Sequence, residues 1–325
     1  MKNIIKDIKM LSICGFFVIC NFPADFFVSS EKVRIFAAEY KNSIGDMGKF
    51  INPFTDIGFK KIFGQEVSKP ILIDFLNALF EGEHHVVDLK LLDKEQLGDT
   101  VDDKKLVYDV LCEAENGERI IVEMQYKGQP WFKERSIYYL SRAISSQGEK
   151  GTAWNYDQLK AVYIVSLLNF RMSSISEEFR CDVGLMDLKR KQPFSDKVRL
   201  VFLQMPRFTK GVDECETLFD KLIYVLKNMD VLKRMPWLAQ EAVFQKLASV
   251  ADVASLSKKE RIQYDETLKH YRDTVAVMEG QYLEGMAKGE AKGKAEDARK
   301  MKSLGLADDV IMQVTGLTEE QIAAL

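Results

Sequence analysis

Apolar residues repeat at helical spacing in two segments of the N-terminal half, with strand-like runs around them. Residues 70–80 and 131–145 place apolar side chains three and four positions apart, as on one buried face of a helix. Residues 86–92 suit a strand. Residues 159–168 form an almost continuous apolar run, typical of a strand buried on both faces. The pattern predicts an α/β fold in which helices cover a sheet.

A β-hairpin is predicted between these two helices. The runs at residues 106–112 and 119–126 are rich in β-branched and aromatic residues, as strands are. The Glu-Asn-Gly-Glu sequence at residues 115–118 is a turn signal between them. Two strands joined in this way lie side by side, so their side chains meet on each face.

One face of the predicted hairpin collects polar side chains. Because strand side chains alternate between faces, Glu123, Gln125 and Lys127 share a face of the second strand, and Asp109 meets them from the first. Mg²⁺ takes oxygen ligands and keeps several waters for phosphate substrates, so a pair of carboxylates suits it, with Mn²⁺ as a substitute. The two acids therefore predict a metal-assisted site that cleaves phosphodiesters. Taken alone, they fit equally well a solvent-facing edge of an amphipathic hairpin.

Several unrelated motifs surround this hairpin and follow one another in a distinctive order. They are residues 52–64 (Asn-Pro-Phe-Thr-Asp-Ile-Gly-Phe-Lys-Lys-Ile-Phe-Gly), residues 76–79, Asp109 with Glu123-Met124-Gln125, residues 135–142, residues 159–167 and residues 268–273. In this order they resemble the recombination-promoting nuclease and transposase family of the PD-(D/E)XK superfamily. The resemblance extends from about Met47 to about Arg272.

The resemblance implies a fold and an activity. The fold is α/β, a restriction-endonuclease-like αβββαβ core with a mixed sheet, followed by a helical C-terminal region. The activity is a Mg²⁺-dependent DNA endonuclease linked to recombination or mobile elements. Asp109, Glu123 and Gln125 would be its catalytic residues, and the first two would hold the metal. No phosphate-binding glycine motif occurs in the sequence, so no nucleotide cofactor is expected.

Gln125 departs from the pattern for which the superfamily is named, because a lysine is expected two positions after the second acid. An amide carries no positive charge and is no base, although it can orient a water molecule. Members that resemble this family commonly have Glu-x-Gln, and Lys127 lies one strand repeat further on as a supporting residue. The competing hypothesis is a weak or inactive nuclease core that serves as a DNA- or protein-interaction protein.

Four further residues are candidates near the acids. Arg135, Tyr138 and Arg142 are spaced three and four apart, which places them on one helical stripe that suits DNA phosphates. A solvated surface face explains the same spacing equally well. Asp56 is either an additional acid near the metal or an N-cap of the following helix, and we favour the cap.

Composition narrows the class of protein. The chain has 325 residues, of which 46% are hydrophobic and 29% charged, enough for a substantial core. Its net charge of −3 argues mildly against tight, non-specific DNA binding. Five cysteines without metal-ligand spacing and three histidines argue against a zinc site and against a hydrolase with a Ser/His or Cys/His pair.

The first 46 residues are predicted to be a signal-like segment or a misassigned extension. Three lysines precede the apolar run at residues 10–20, as in a signal peptide, and that run is too short to span a membrane. The family-like sequence begins only at Met47. We therefore favour Met47 as the start, which predicts a cytoplasmic protein without a membrane span, with export as the alternative.

The rest of the chain is predicted to contain three parts: a nuclease-like domain (residues 47–206), a helical subdomain (207–280) and a tail (281–325). Residues 198–205 are the last predicted strand, and the segments 215–229, 238–253 and 258–280 are predicted helices. In the tail, glycine occurs at every fourth position, which suits either a helix that packs on a partner or a flexible linker. Three short helices, at residues 297–304, 308–314 and 319–325, would complete a helix-turn-helix-like end. We also expect a homo-oligomer formed through the C-terminal helices.

Overall fold

The computed structural model describes residues 48–93, 106–148, 154–172 and 175–325, together with the backbone of three short strands at positions 11–13, 16–18 and 95–96. The chain divides into two compact units, residues 1–47 and 48–325. In the first unit, β1 (Leu11–Ile13) pairs with β2 (Phe16–Val18) in antiparallel fashion. Most of the predicted signal-like segment lies outside the described residues. Within the described part of the chain, no helix is both long enough and apolar enough to cross a membrane.

A six-stranded mixed sheet is the centre of the second unit. Its strands lie in the spatial order β3-β6-β7-β8-β10-β9. In chain order they are β3 (Leu89–Leu91), β6 (Val110–Ala114), β7 (Arg119–Gln125), β8 (Val162–Leu168), β9 (Arg180–Asp187) and β10 (Gln192–Gln204). Strand β8 runs parallel to both of its neighbours, β7 and β10, and the other pairs are antiparallel. A short separate pair joins β4 (Glu95–Gln96) to β5 (Leu106–Val107).

The predicted hairpin is formed by β6 and β7. Gly117 has a φ of +85°, a left-handed conformation that favours glycine at this turn. The turn is closed by hydrogen bonds from the Gly117 N–H to the Ala114 carbonyl at 2.9 Å and from the Ala114 N–H to the Glu118 carbonyl at 2.8 Å. The turn therefore fixes the register that places Val110 opposite Val122.

Helices cover both faces of the sheet. The helices are α1 (Asp56–Phe63), α2 (Lys69–Leu79), α3 (Phe132–Ser145), α4 (Leu218–Asn228), α5 (Ala242–Ala251), α6 (Lys258–Ser303), α7 (Asp308–Thr315) and α8 (Glu319–Ala323). On one face, α1, α2, α4, α5 and the start of α6 pack on Val122, Val165 and Val201. On the other face, α3 packs on Ile121 and Ile164. Strand β8 is buried along its whole length because it is covered on both sides.

The structure adds one strand that was not predicted and corrects one predicted helix. Strand β9 was not predicted, because it is an edge strand whose largely exposed side chains lack a clear apolar pattern. The predicted helix at residues 297–304 is the end of α6, which continues for 46 residues and also contains the glycine repeat. The glycine repeat is therefore helical in the structure. The helix ends at Ser303, and Gly305, which follows two residues later with a φ of +79°, prevents it from continuing.

Candidate active site

Two hydrogen bonds join Asp109 to Glu123 and to its neighbour Met124 across the hairpin. The Asp109 N–H donates to Glu123 Oε1 at 3.2 Å, and the Met124 N–H donates to Asp109 Oδ2 at 2.8 Å. Asp109 lies in a bend between β5 and β6, although the sequence pattern had placed it within a strand. The bend leaves its N–H outside the strand ladder, so that it reaches the carboxylate. The two acids thus lie side by side on the face covered by α3.

Burial raises the pKa of both carboxyl groups. Glu123 is only 3% exposed, and its burial together with the charge of Asp109 raises its pKa to about 8. Burial also raises the pKa of Asp109, partly offset by the Met124 N–H, while the charge of Asp56 raises it further. Two buried carboxylates that repel each other are stabilised by a cation placed between them. This is the electrostatic signature expected of a metal-binding pair.

Gln125 lies at the end of β7 beside the acids. Its Nε2 is 3.5 Å from Glu123 Oε2, and its Oε1 accepts a hydrogen bond from Gln129 Nε2 at 3.4 Å. Lys127 is in the exposed loop two residues beyond the end of β7. The structure therefore brings the amide, rather than Lys127, into contact with Glu123.

Arg135 is the residue of α3 that reaches the acids. One of its terminal nitrogens is 3.9 Å from Glu123 Oε2, and its guanidinium group lies 4.8 Å from the centre of the Tyr139 ring. Arg135 also donates to Gln129 Oε1 at 3.4 Å. Tyr138, on the same helical stripe, is 45% exposed. Arg142 lies near enough to Tyr108 for its charge to lower the pKa of that phenol, against the larger effect of burial.

Asp56 begins α1 and does not cap it. The cap is Thr55, whose side chain accepts a hydrogen bond from the Gly58 N–H at 3.1 Å, so the preference for Asp56 as the N-cap is wrong. Asp56 instead forms an ion pair with Lys60 at 2.6 Å. Both of these charges act on the pKa of Asp109, which places the start of α1 beside the acids.

The motif around Asn52 anchors α1 to the C-terminal helices. The Asn52 N–H donates to the Tyr264 hydroxyl at 2.7 Å, and its side-chain amide donates to Asp230 Oδ2 at 2.9 Å. Gly58 packs directly on the Asn52 carbonyl, since a Cβ at Gly58 would lie only 2.0 Å from that oxygen. These contacts therefore fix the position of Asp56 at the start of α1. They give residues 52–58 a structural role that explains why this segment is one of the sequence motifs.

A family model for the PD-(D/E)XK nuclease family transposases matches residues 53–281, well over half of the chain. The chain belongs to this family. Comparison with curated proteins and with solved structures gave no match. The predicted PD-(D/E)XK fold is thereby confirmed, and the mixed sheet with its flanking helices is the architecture that the sequence implied.

PD-(D/E)XK nucleases generally use divalent metals, and the donor atoms in this member suit such an ion. Asp109 and Glu123 offer carboxylate oxygens, the ligands that Mg²⁺ and Mn²⁺ prefer. Among the described residues, no group of three or more His, Cys, Asp or Glu side chains is arranged to hold a metal. Two carboxylates fit Mg²⁺ nonetheless, because that ion keeps several of its waters.

Sequence reasoning missed one polar residue in this PD-(D/E)XK site, Ser166. In the parallel pairing of β7 and β8, Ser166 is opposite Glu123, so both side chains lie on the face covered by α3. Ser166 is fully buried, and its hydroxyl has no hydrogen-bond partner among the described residues. The available signal was a small hydroxyl within the apolar run of β8.

Proposed function

We propose that this protein is a Mg²⁺-dependent DNA endonuclease that acts in recombination or on mobile elements in the cytoplasm. The observation that carries the proposal is the placement of Asp109 beside Glu123, through the hydrogen bonds from the Asp109 N–H to Glu123 and from the Met124 N–H to Asp109, with Gln125 next to Glu123. The family match supports nuclease chemistry on DNA. Mn²⁺ is expected to replace Mg²⁺, because both take oxygen ligands.

Each side chain has a distinct role in this proposal. Asp109 and Glu123 hold the cation, which lowers the pKa of a bound water and offsets charge on the phosphate. Gln125 orients the attacking water through its amide, since it is already in contact with Glu123. Arg135, beside Glu123 and partly exposed, pairs with the phosphate of the substrate. Asp56 and Lys60 adjust the charge around Asp109.

Nicking of supercoiled plasmid DNA tests the proposal. Wild type should convert the plasmid to the open-circle form with Mg²⁺ or Mn²⁺ and not with EDTA. Glu123→Gln and Asp109→Asn should abolish nicking, because each removes a metal-binding carboxylate. Glu134→Gln is the matched control, since Glu134 is an exposed acid of α3. Equal nicking by wild type and Glu123→Gln would show that cleavage does not depend on the Glu123 carboxylate and would defeat the proposal.

A second candidate is a non-catalytic interaction protein built on the same core. Gln125 in place of lysine and the net charge of −3 favour it. It predicts DNA or protein binding without nicking at any concentration of Mg²⁺ or Mn²⁺. Wild type that binds DNA and leaves the plasmid intact would support this second function.

A further inference from the structure

Aromatic and arginine side chains alternate along one face of α3, beginning at Trp131 next to the candidate active site. Trp131, Arg135, Tyr138 and Arg142 are separated by four, three and four residues, the spacing of one helical face. Trp131 is 74% exposed and Tyr138 45% exposed. Two large rings so exposed beside a polar site mark an interaction surface rather than part of the core.

The stripe is continuous with the catalytic residues. The Trp131 carbonyl accepts the Arg135 N–H at 2.9 Å, and Arg135 in turn contacts both Gln129 and Glu123. Gln129 is hydrogen bonded to Gln125. A ligand stacked on Trp131 is therefore next to Arg135 and Gln129, which contact Glu123 and Gln125.

The chemistry of the stripe fits a single strand of nucleic acid. Aromatic rings stack on bases of any sequence, and guanidinium groups pair with the phosphates that link them. In duplex DNA each base stacks on the next base of its strand, about 3.4 Å away along the helix axis, so the faces of the bases are covered. Trp131 and Tyr138 are about 10 Å apart along the helix axis. Only unstacked bases expose faces to rings spaced in this way.

We propose that the Trp131–Arg142 stripe binds a DNA segment with unpaired bases and directs it into the nuclease site. Trp131 and Tyr138 stack on bases, and Arg135 and Arg142 pair with phosphates. The proposal deepens the proposed nuclease function by naming its substrate class, which is DNA with a bubble, fork or single-stranded overhang.

The test is a binding measurement that does not depend on cleavage. Glu123→Gln protein would be titrated into fluorescently labelled oligonucleotides, a blunt duplex and the same duplex with a central bubble, with fluorescence anisotropy as the readout. We expect about ten-fold tighter binding of the bubble, within the range of one stacked base. Trp131→Ala should remove that preference and leave duplex affinity unchanged, and Trp131→Phe should largely retain it.

Tyr156→Ala is the matched control. Tyr156 is 87% exposed and lies just before β8, at the opposite end of the strand from the neighbours of Glu123 and Gln125. It should not change either affinity. Equal binding of the two DNAs by the parent protein, or an unchanged preference in Trp131→Ala, would overturn the proposal. Absence of nicking by wild type would refute the nuclease function alone, because the binding preference is measured separately.

The unpartnered hydroxyl of Ser166 carries a second inference, which also depends on the proposed metal site. Neighbouring strands are about 4.8 Å apart, so Ser166 stands next to Glu123 on the same face. From the residues that the structure describes, the carboxylate of Glu123 accepts hydrogen bonds at 3.2 Å from Asp109 and 3.5 Å from Gln125, at or beyond the long end of the usual range. A buried hydroxyl without a partner is costly, so such groups usually serve a bound water or ligand.

We infer that Ser166 is a positioning residue that holds the Glu123 carboxylate, directly or through one water, when a cation is bound. Ser166→Ala should lower the affinity of the DNA-free protein for Mn²⁺ several-fold, as measured by titration with electron paramagnetic resonance. The same variant without metal should melt at the wild-type temperature or higher, because it loses an unsatisfied polar group.

Ser136→Ala provides a matched control on α3. Ser136 is also buried, but its hydroxyl already donates to the Phe132 carbonyl at 2.8 Å. It should melt no higher than wild type and bind Mn²⁺ with unchanged affinity. Wild-type Mn²⁺ affinity in Ser166→Ala would overturn the role of Ser166, whatever its melting temperature. No Mn²⁺ binding by the wild type would instead refute the metal site itself.

Discussion

The side-chain amide of Asn169 donates a hydrogen bond to the hydroxyl of Tyr271 at 2.8 Å, which joins the end of β8 to α6. The backbone N–H of Asn169 donates to the Gln125 carbonyl at 2.8 Å, and the Tyr271 ring packs edge-on against Tyr126. The segments that follow β7 and β8 are therefore both held by a helix that belongs to the C-terminal half of the chain.

Removing the Tyr271 hydroxyl should loosen this connection. Tyr271→Phe should reduce the free energy of unfolding by about 1 kcal/mol, the usual contribution of such a hydrogen bond. Thermal unfolding would measure the loss. Tyr282→Phe is the control on the same helix, since Tyr282 is 63% exposed and should be neutral. Equal stability of the two variants would contradict the prediction.

The metal-free protein should lose stability as the pH rises. The pKa of Glu123 is about 8 in the folded state, above the ordinary 4.5, so the folded protein keeps a proton that the unfolded chain has released. Stability therefore falls between about pH 4.5 and 8. Glu123→Gln stays neutral, so it should melt several degrees above wild type at the upper end of this range.

Melting curves in EDTA at several pH values would test this dependence. The difference between Glu123→Gln and wild type should shrink as the pH falls towards 4.5. Glu134→Gln, which replaces an exposed acid of α3, should follow wild type at every pH. A difference that does not change with pH would mean that repacking, and not the charge of Glu123, explains the higher melting temperature.

Substitutions at Gln125 should separate water orientation from metal binding. Gln125→Ala should reduce nicking less than Glu123→Gln does, because an amide that orients water supplies only part of the lowering of the barrier. Gln125→Lys should be tolerated, because it restores the superfamily pattern. Single-turnover nicking rates would rank the variants. Loss of Mn²⁺ binding in Gln125→Ala would instead assign Gln125 to the metal.

Residues before Met47 should be dispensable for folding of the nuclease unit. They form a compact unit separate from residues 48–325. A protein that starts at Met47 should therefore melt within a few degrees of the full chain and remain soluble. A large drop in melting temperature or aggregation of the shortened protein would contradict this expectation.

Alanine in the glycine repeat should strengthen the end of α6. A Cβ at Gly285, Gly289 or Gly293 would meet no atom within 4 Å, and each helical glycine costs about 1 kcal/mol relative to alanine. The triple alanine variant should show slower amide exchange across this segment. If the repeat forms the predicted homo-oligomer, sedimentation would reveal weaker self-association in the variant. Faster exchange would contradict the prediction.

The sequence predicted the hairpin well because its signals are local. The turn at Gly117 and the alternation of polar and apolar residues along β7 fix both the register and the face of Glu123. The approach of Asp109 to Glu123 follows from that register. The bend at Asp109 was missed, because a strand pattern does not distinguish a regular strand from one that breaks beside its partner.

The rest of the candidate site depends on contacts between distant segments. The local sequence does not show that Ser166 is a neighbour of Glu123. The two residues become neighbours through the parallel pairing of β7 with β8, two strands that α3 connects in the chain. The preference for Asp56 as the N-cap was wrong for a similar reason, since Thr and Asp both cap helices and the sequence does not show that Thr55 takes this role. Strand β9 was missed because its sequence has no clear strand pattern, and it is a strand through its hydrogen-bonded pairing with β10.

The length of α6 separates the tail from the nuclease site. Tyr271 and Ala298 lie on this one helix, and at 1.5 Å per residue they are about 40 Å apart along its axis. Ala298 packs with Ile311 and Ile322 in a small apolar cluster of its own. Because Tyr271 contacts Tyr126 just after β7, whatever binds the last two helices is held about 40 Å along α6 from that contact, which is more than one turn of DNA.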